Sequence, residues 1–412
     1  MKSDLDQLMQ KYDVDVLFIL GAAEHNPAMV YFVGNAHVSQ GYLIKKRGEE
    51  PVLVHYPMER EEAAKSGLRL ISTASYPLTD LLKETKGNLP EALALQVKKI
   101  FDELGIRSGN VALYGKDELN GAFSVITNLQ RLLPDLQFRG LVPDELLMTA
   151  MMTKDEAEIE RIRRMGRITT EVVARTADYL TGHRVKNEVL VHTDDSPVTI
   201  GEVKNLINLW LAEKGAENPE GTIFAIGRDA GIPHSAGNPT DLLRLGQTIV
   251  YDIYPCEAGG GYFYDFTRTW SLGYATDEAL KLYEEVKRVY ELLYRELELN
   301  APFSRYQART CELFEAMGHT TVKTRPETES GYVHSLGHGI GLHVHEKPFS
   351  SMVNPSPTDL LVPGAAFTLE PGLYYPERGL GVRLEDSLWV TPQGKFEILA
   401  DFPKELVLPV KH

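Results

Sequence analysis

The sequence is poor in cysteine, in positive charge and in long apolar runs, and each shortage excludes a class of protein. Its 412 residues contain two cysteines, Cys256 and Cys311, which is too few for a disulfide framework and favours a reducing compartment. Lys and Arg number 43 against 58 Asp and Glu, a formal net charge of −15. This acid excess argues against nucleic acid as a partner, because phosphate-binding surfaces are basic.

Apolar segments are also short. The longest, such as residues 16–23, fall far below the roughly 20 apolar residues of a transmembrane helix, so no membrane association is expected. Residues 1–6 are polar and acidic and lack the basic and apolar regions of a signal peptide. The sequence therefore predicts a cytoplasmic protein.

What is present is the composition of an ordinary globular chain, with 43% hydrophobic and 25% charged residues. At roughly 100–200 residues per domain, the length predicts two or three domains. Short β-rich runs alternate with helical patterns in the first third and predict a mixed sheet with intervening helices. These runs are residues 14–20, 42–45, 52–55 and 110–114.

A domain boundary is predicted near residue 150, because residues 148–152 carry no clear period. Thr153 and Glu156 then form a capping-box pattern ahead of apolar residues at helical spacing, which predicts a long helix. The prediction is a smaller domain over residues 1–150 and a larger one over 151–412.

Two further helices are predicted in the larger domain, one from Thr199 through Leu211 and one from about Asp277 to Glu298. The apolar side of the latter is predicted at Leu280, Tyr283, Val286, Tyr290 and Leu293. From about residue 221 short strands with Gly and Pro turns dominate. Helices combined with antiparallel hairpins predict an α+β architecture for residues 151–412.

Four of the twelve histidines fall within twelve residues, among three glycines. They are His334, His338, His343 and His345. Histidine is the commonest protein metal ligand and the usual acid–base group near neutral pH, and glycine allows close backbone approach. A structural role is the alternative for any one of them, but the group predicts a chemical site.

Four carboxylates accompany this cluster, each within or beside a strand-like alternation: Asp252, Asp265, Glu370 and Glu385. Taken singly, Asp252 could be a strand-edge acid and Glu385 could pair with the neighbouring Arg383. Taken together, acids inside apolar strands are costly unless they are paired or bound to metal.

If the four acids converge, their charge calls for compensation by two divalent cations, with His338 as a neutral nitrogen ligand. A hydroxide bridging two such ions is a strong nucleophile at neutral pH. Four carboxylates and one imidazole favour a hard or borderline ion, Mn foremost, with Zn, Co or Fe as alternatives.

Ordered motifs in residues 151–412 resemble those of the pita-bread metallopeptidases, the superfamily of Xaa-Pro dipeptidase (prolidase), aminopeptidase P and methionine aminopeptidase. The first 150 residues are more weakly similar to the N-terminal domain of the creatinase and prolidase branch, most clearly at residues 28–34. Methionine aminopeptidase usually lacks that domain. The motifs are Pro233-His234, Val250-Tyr251-Asp252, Asp265-Phe266-Thr267-Arg268-Thr269, Gly337-His338-Gly339-Ile340-Gly341, Thr368-Leu369-Glu370-Pro371-Gly372 and Arg383-Leu384-Glu385-Asp386.

The resemblance implies a pita-bread catalytic domain, a smaller mixed α/β N-terminal domain and a homodimer. It implies five ligands for two metal ions: Asp252, Asp265, His338, Glu370 and Glu385. Asp265 and Glu385 would be shared, and Glu370 would also move the proton from the attacking water to the leaving nitrogen.

The resemblance also implies roles for residues that meet the substrate. His234 and His345 would contact it and stabilise the tetrahedral intermediate, while His334 would line a proline pocket. Arg383 would orient the substrate, often through a carboxylate. His343 matches no family role and is predicted to be structural or to lie at the pocket rim.

The implied function is hydrolysis of the Xaa-Pro bond of a small peptide with proline in second position, with a dipeptide as the preferred substrate. Aminopeptidase P, acting on longer peptides, is the alternative. A metal-free creatinase-type hydrolase and a non-catalytic binding module are remote alternatives, because every ligand position is filled.

One departure from the family pattern concerns the spacing of Asp252 and Asp265, which are 13 residues apart where family members commonly have eleven. Tyr254 also stands where a small residue is expected. The prediction is a longer Gly-rich loop over residues 256–261 and an intact metal pair, whereas a bulge within a strand would disturb it.

Overall fold

The computed structural model describes residues 4–353 and 355–410. The first three residues, half of the segment in which no signal peptide is predicted, lie outside this part. The chain divides into two compact units, Met1–Met151 with Gly259–Gly261 and Met152–Ala258 with Tyr262–His412. Within the described residues, no helix is both long enough and apolar enough to cross a bilayer.

The first unit is a mixed sheet with helices. Its strands are β1 (Val16–Leu20), β2 (Gly41–Lys46), β3 (Val52–His55), β4 (Arg69–Ser72), β5 (Gly109–Gly115) and β6 (Leu136–Arg139). Its helices are α1 (Leu5–Lys11), α2 (Pro27–Val33), α3 (Arg60–Ala64), α4 (Leu78–Glu84), α5 (Leu89–Glu103) and α6 (Leu119–Leu132), with 3₁₀ turns at Pro57–Glu59 and Thr73–Ser75.

The sheet has the order β4-β3-β2-β1-β5-β6, with β2 antiparallel to both neighbours and the other pairs parallel. The mixed sheet predicted from the β-rich runs is confirmed, and its four central strands are the four predicted. The two strands that the pattern missed, β4 and β6, are four-residue edge strands. Ile100 and Phe101 of α5 pack with Phe18 and Val111 of the central strands in one buried cluster.

The second unit contains helices and short strands. Its helices are α8 (Glu156–Gly182), α9 (Ile200–Glu213), α10 (Asp277–Glu296) and α11 (Phe303–Ala316), after α7 (Leu147–Met152) at the division between the units. Its strands are β7 (Arg184–Lys186), β8 (Val189–Val191), β9 (Ala216–Glu217), β10 (Thr222–Ile226), β11 (Leu245–Gly246), β12 (Thr248–Ile253), β13 (Cys256–Glu257), β14 (Phe266–Ala275), β15 (Ala366–Leu369), β16 (Gly372–Tyr375), β17 (Leu380–Arg383), β18 (Asp386–Val390), β19 (Phe396–Ile398) and β20 (Val407–Leu408), with 3₁₀ turns at Asp229–Gly231 and Pro376–Arg378.

The long helix α8 begins two residues later than the capping pattern predicts. Asp155 caps it, and Asp155 and Glu158 form a reciprocal capping box. Thr153 cannot cap the helix because its backbone pairs with Ala365 in an antiparallel bridge. The backbone N–H of Lys154 then donates to the Gly364 carbonyl. Tertiary pairing therefore overrides the first of two adjacent capping signals.

Helices α9 and α10 match their predictions closely. Thr199 caps α9 by accepting a hydrogen bond from the Glu202 N–H. The buried side of α10 includes Tyr283, Val286, Tyr290 and Leu293, but Leu280 is 47% exposed and was wrongly placed there. Ala279 and Leu282 fill the corresponding core positions.

A five-stranded sheet carries the first two predicted acids. It has the order β10-β12-β14-β11, with β20 also paired to β14. The β12–β14 register is continuous from Thr248↔Ser271 to Ile253↔Phe266, so the paired strands contain no bulge there. The extra residues lie in the connection between these strands, which holds β13 and the turn after it.

Strand β7 pairs with β8, and β9 pairs with β13. A three-stranded sheet, β15-β18-β19, and a hairpin, β16-β17, share a large apolar core with α10 and α11. Val382 and Leu384 are fully buried in this core, as the strand alternation predicts.

Candidate metal centre

The four predicted acids come together in the second unit because strand pairing places them side by side. Asp252 lies opposite Thr267 in the β12–β14 pair, and Asp265 stands immediately before β14. Thr267 in turn bridges Glu385, which lies between β17 and β18, and the Thr267 hydroxyl donates to Glu385 Oε2 at 2.7 Å. Two neighbouring strands therefore meet a stretch of chain more than 100 residues further on.

His338 and Glu370 complete the group. A ligand atom of His338 lies within 4.8 Å of oxygens from both Asp265 and Glu385. The His338 Nε2 atom lies 3.3 Å from Glu370 Oε1 and 3.7 Å from Asp265 Oδ2. Thr368 donates from its hydroxyl to Glu370 Oε1 at 3.3 Å, across the shared strand face that the sequence predicts.

The orientation of the His338 ring suits a metal ligand. Its Nδ1 atom lies 3.0 Å from the Gly339 carbonyl, so Nδ1 carries a proton and Nε2 is the ring atom that faces the carboxylates. Burial lowers the pKa of His338, but the hydrogen bond and charge of Glu370, with the charge of Asp265, raise it to about 9. The surrounding acids therefore stabilise positive charge at Nε2, which either a proton or a metal ion can supply.

Three carboxylate oxygens in this group have no hydrogen-bond partner among the described residues although they are buried. They belong to Asp252, Asp265 and Glu385, whose residues are 8%, 4% and 1% exposed. Burial, reinforced by repulsion from neighbouring acids, raises the pKa of Asp265 and Glu385 well above the usual range. Unpaired buried acids at such spacing fit divalent cations, which would supply both the charge and the missing partners.

Arg383 is the cation already present beside the acids. Its guanidinium donates to Asp252 Oδ2 at 2.5 Å, to the Tyr374 hydroxyl at 2.6 Å, to the Thr267 hydroxyl and to the Pro233 carbonyl. Four of its five N–H groups are thus engaged. One guanidinium cannot neutralise four carboxylates, so its presence does not remove the need for cations.

A cavity of about 610 Å³ opens onto this cluster, a size typical of small-ligand sites. Its wall includes all five residues of the cluster together with His234, His334 and His345. His343 is not among the described residues that line it.

Two of these histidines are held in the neutral form. The pKa of His334 is lowered to about 4 by burial, with Arg383 adding to the effect, and its Nε2 atom lies 2.8 Å from the Tyr374 hydroxyl. The cavity walls desolvate His345 and the charge of His338 adds to this, so that its pKa is also lowered to about 4. The rings of His338 and His345 are 4.3 Å apart.

The histidine-rich segment is fixed by backbone pairing and by a buried ion pair. Gly339 bridges Glu346, and a Cβ atom on Gly339 would collide with the Lys347 backbone, which explains this glycine. The Glu346 carboxylate pairs with Lys154 just ahead of α8, and both side chains are essentially inaccessible. The spacing of His338 and His345 is therefore built into a rigid element.

Comparison with known proteins identifies the family. The model for metallopeptidase family M24 matches residues 160–392, more than half of the chain. The chain belongs to metallopeptidase family M24. Family membership establishes the predicted metallopeptidase and its dependence on metal.

Curated relatives of this M24 peptidase carry dipeptidase names. An Xaa-Pro dipeptidase of Pyrococcus furiosus is 26% identical over 405 residues, covering 96% of this chain and 97% of that protein. A probable dipeptidase PepE of Mycobacterium bovis is 28% identical over 280 residues, 67% of each chain.

Solved structures establish the fold. The crystal structure of a dipeptidase from Pyrococcus horikoshii matches with a TM-score of 0.74 at 22% identity, covering 98% of both chains. The predicted pita-bread fold with a mixed α/β N-terminal domain is confirmed.

Sequence reasoning missed several residues of this M24 peptidase that shape the site. Tyr374 joins His334 to Arg383 by contacting both of them through its hydroxyl. Thr267 and Thr368 hold Glu385 and Glu370. No local signal points to Lys204, which lines the cavity from helix α9.

Proposed function

We propose that this M24 peptidase is an exopeptidase that hydrolyses the bond between a first residue and a following proline, preferably in Xaa-Pro dipeptides. The observation that carries the proposal is the convergence of four acids and His338 on one cavity, with three buried carboxylate oxygens unpartnered among the described residues. Similarity to the P. furiosus Xaa-Pro dipeptidase over nearly the whole chain supports the substrate class.

Two divalent ions would be held by Asp252, Asp265, His338, Glu370 and Glu385. This oxygen-rich set favours Mn, with Zn, Co or Fe as alternatives. When bound, the ions would polarise the peptide carbonyl and activate a water molecule as the nucleophile.

Glu370 is proposed to take the proton of the attacking water and deliver it to the leaving proline nitrogen. Burial raises the pKa of Glu370, but the hydrogen bond and charge of His338 outweigh it, so that the net pKa is lowered. The carboxylate is therefore ionised and able to accept a proton. It is also less buried than the other three acids and faces the cavity.

The histidines and Arg383 are proposed to handle the substrate. His234 and His345 would donate hydrogen bonds to the carbonyl oxygen as negative charge develops on it, and His334 would line the proline pocket beside Tyr374. Arg383 would orient the substrate with its one remaining N–H group. Its other contacts hold Asp252 and Tyr374 in place.

The proposal also covers the domain division, the oligomeric state and the cellular location of the enzyme. Residues 1–150 would form the creatinase-like N-terminal domain and residues 151–412 the catalytic domain of a homodimer. Cys256 and Cys311 are both free, in keeping with the proposed cytoplasmic location. Light scattering would test the dimer against a single 46.1 kDa chain.

The test is to compare Ala-Pro, Ala-Pro-Ala and Ala-Ala as substrates in buffer containing Mn, with parallel assays in Co and Zn. We expect the highest kcat/KM for Ala-Pro, little hydrolysis of Ala-Ala, and loss of activity on chelation. A preference for Ala-Pro-Ala would instead support aminopeptidase P. Failure to cleave either proline peptide with any of these metals would refute the proposal.

A further inference from the structure

Two lysine or arginine side chains, Arg383 and Lys204, are among the described residues that line the cavity. Arg383 is engaged by the acidic group, because its guanidinium donates to Asp252. Lys204 comes from helix α9 and lines the cavity together with Thr222 of β10 and Ala236. The wall of the cavity therefore offers a second positive group besides Arg383.

The ammonium of Lys204 is held in place without being neutralised. It donates one hydrogen bond, to the Ala236 carbonyl at 2.9 Å, and it makes no ion pair with any described acid. Glu220, which also lines the cavity, is exposed and is not paired with it. Burial lowers the pKa of Lys204, so a partial loss of hydration is uncompensated by a counter-ion.

The loop whose Ala236 carbonyl accepts the hydrogen bond of Lys204 also contains His234, which is proposed to contact the substrate. His234 and Ala236 belong to one loop, and that loop is fixed to the start of α9 because the Gly201 N–H donates to the Pro239 carbonyl at 2.9 Å. His234 lines the same cavity as His334 and His345. Lys204 is thus connected through a short rigid loop to the group of histidines at the acidic centre.

A free Xaa-Pro dipeptide has a negative charge at its C-terminal end. Its α-carboxylate follows the proline ring directly. In a longer peptide the same position is a neutral carbonyl that continues into another residue. An ammonium with two unused N–H donors distinguishes these two cases, because charge-assisted hydrogen bonds are about twice as strong as neutral ones.

We propose that Lys204 binds the free α-carboxylate of the substrate's proline residue and thereby selects Xaa-Pro dipeptides over longer peptides. The inference rests on the proposed function and deepens it by naming the group that reads the end of the substrate. It assigns a binding role to Lys204 and no part in bond cleavage.

The test is a charge cycle between the protein and the substrate. Wild type and Lys204→Met are assayed in Mn with Ala-Pro and with Ala-Pro amide, which keeps the shape of the dipeptide without its negative charge. We expect Lys204→Met to raise KM for Ala-Pro by about tenfold or more with little change in kcat, as for loss of uniform binding. KM for the amide should change by less than about threefold, so that the variant no longer distinguishes the two substrates.

Two further variants separate charge from packing. Lys204→Arg keeps a cation at the site and should restore most of the preference for Ala-Pro over the amide. Lys214→Met, at the exposed end of the same helix, should behave as wild type. Unfolding midpoints of all three variants would be compared with that of wild type.

The outcomes distinguish the two proposals. Equal KM changes for Ala-Pro and its amide would show that Lys204 merely holds the Ala236 loop, and would overturn the inference while leaving Xaa-Pro hydrolysis intact. If wild type cleaved neither substrate, the proposed function itself would fail and this inference with it.

Discussion

Glu385 and Asp386 are consecutive acids, both buried, and the protein compensates them in opposite ways. The Asp386 carboxylate forms ion pairs with Arg268 at 2.8 Å and Lys404 at 2.6 Å, and it accepts a hydrogen bond from the Tyr290 hydroxyl at 2.5 Å. Glu385 receives the Thr267 hydroxyl on one oxygen, and its other oxygen has no partner among the described residues. Strand alternation sends the two side chains to opposite faces, which separates a structural acid from a ligand acid.

The contrast between Glu385 and Asp386 shows how a cation site can be recognised in a protein interior. Burial alone does not mark it, because Asp386 is as buried as Glu385. A cation site is instead recognised by a buried acid for which the described residues supply no positive partner. Around Asp386 the protein provides its own cations, whereas around Glu385 it assembles more carboxylates, an arrangement that is unfavourable unless a metal completes it.

The largest expected effect is on turnover. Glu370→Gln should remove the proposed proton carrier and lower kcat for Ala-Pro by about 10³-fold or more. A general acid–base group typically contributes about 10²–10⁴-fold to the rate. Steady-state assays in Mn measure this. An exposed control, Glu377→Gln, should leave kcat unchanged. Near-normal turnover by Glu370→Gln would refute its role.

Removing the compensated acid should cost stability. Asp386→Asn leaves Arg268 and Lys404 without their buried partner, and breaking such pairs costs about 3–5 kcal/mol. Urea denaturation measures the free energy of unfolding, with the exposed Asp401→Asn as a control expected to stay within about 0.5 kcal/mol. If Asp386→Asn lowered the free energy of unfolding by less than about 1 kcal/mol, Asp386 would not be the structural acid that we distinguish from Glu385.

Removing the uncompensated acid should have the opposite sign. In chelator, Glu385→Gln deletes a buried repulsive charge, so its free energy of unfolding should equal or exceed that of wild type. Mn at about 100 times its Kd should stabilise wild type by about 2.7 kcal/mol for one site, and this gain should largely vanish in the variant. Destabilisation in chelator as severe as that of Asp386→Asn would count against the ligand assignment.

The smallest expected effect is on metal content. His338→Ala should weaken metal binding by about tenfold or more and lower activity in parallel, because a neutral nitrogen ligand is lost. Elemental analysis after gel filtration gives metal per chain. His343→Ala, from the same segment but outside the cavity lining, is the matched control. Unchanged stoichiometry in His338→Ala would contradict the proposed ligand set.

Local sequence signals predicted much of the fold. The central strands of the first unit and helices α8, α9 and α10 follow from apolar periodicity and capping residues. The errors lie where tertiary contacts decide, as at the start of α8, where pairing of Thr153 with Ala365 moves the cap to Asp155. Helix α11 was missed because it begins after Pro302 without a side-chain cap.

Acids within apolar strands and a glycine-flanked histidine are visible in the sequence, which therefore predicted the candidate metal ligands. It also determined that the longer spacing between Asp252 and Asp265 need not change their faces, since side-chain direction has period two. It could not show which acids lack a counter-ion. That depends on contacts across more than 100 residues, such as Arg268 with Asp386 and Arg383 with Asp252, and only the tertiary structure brings those charges together or keeps them apart.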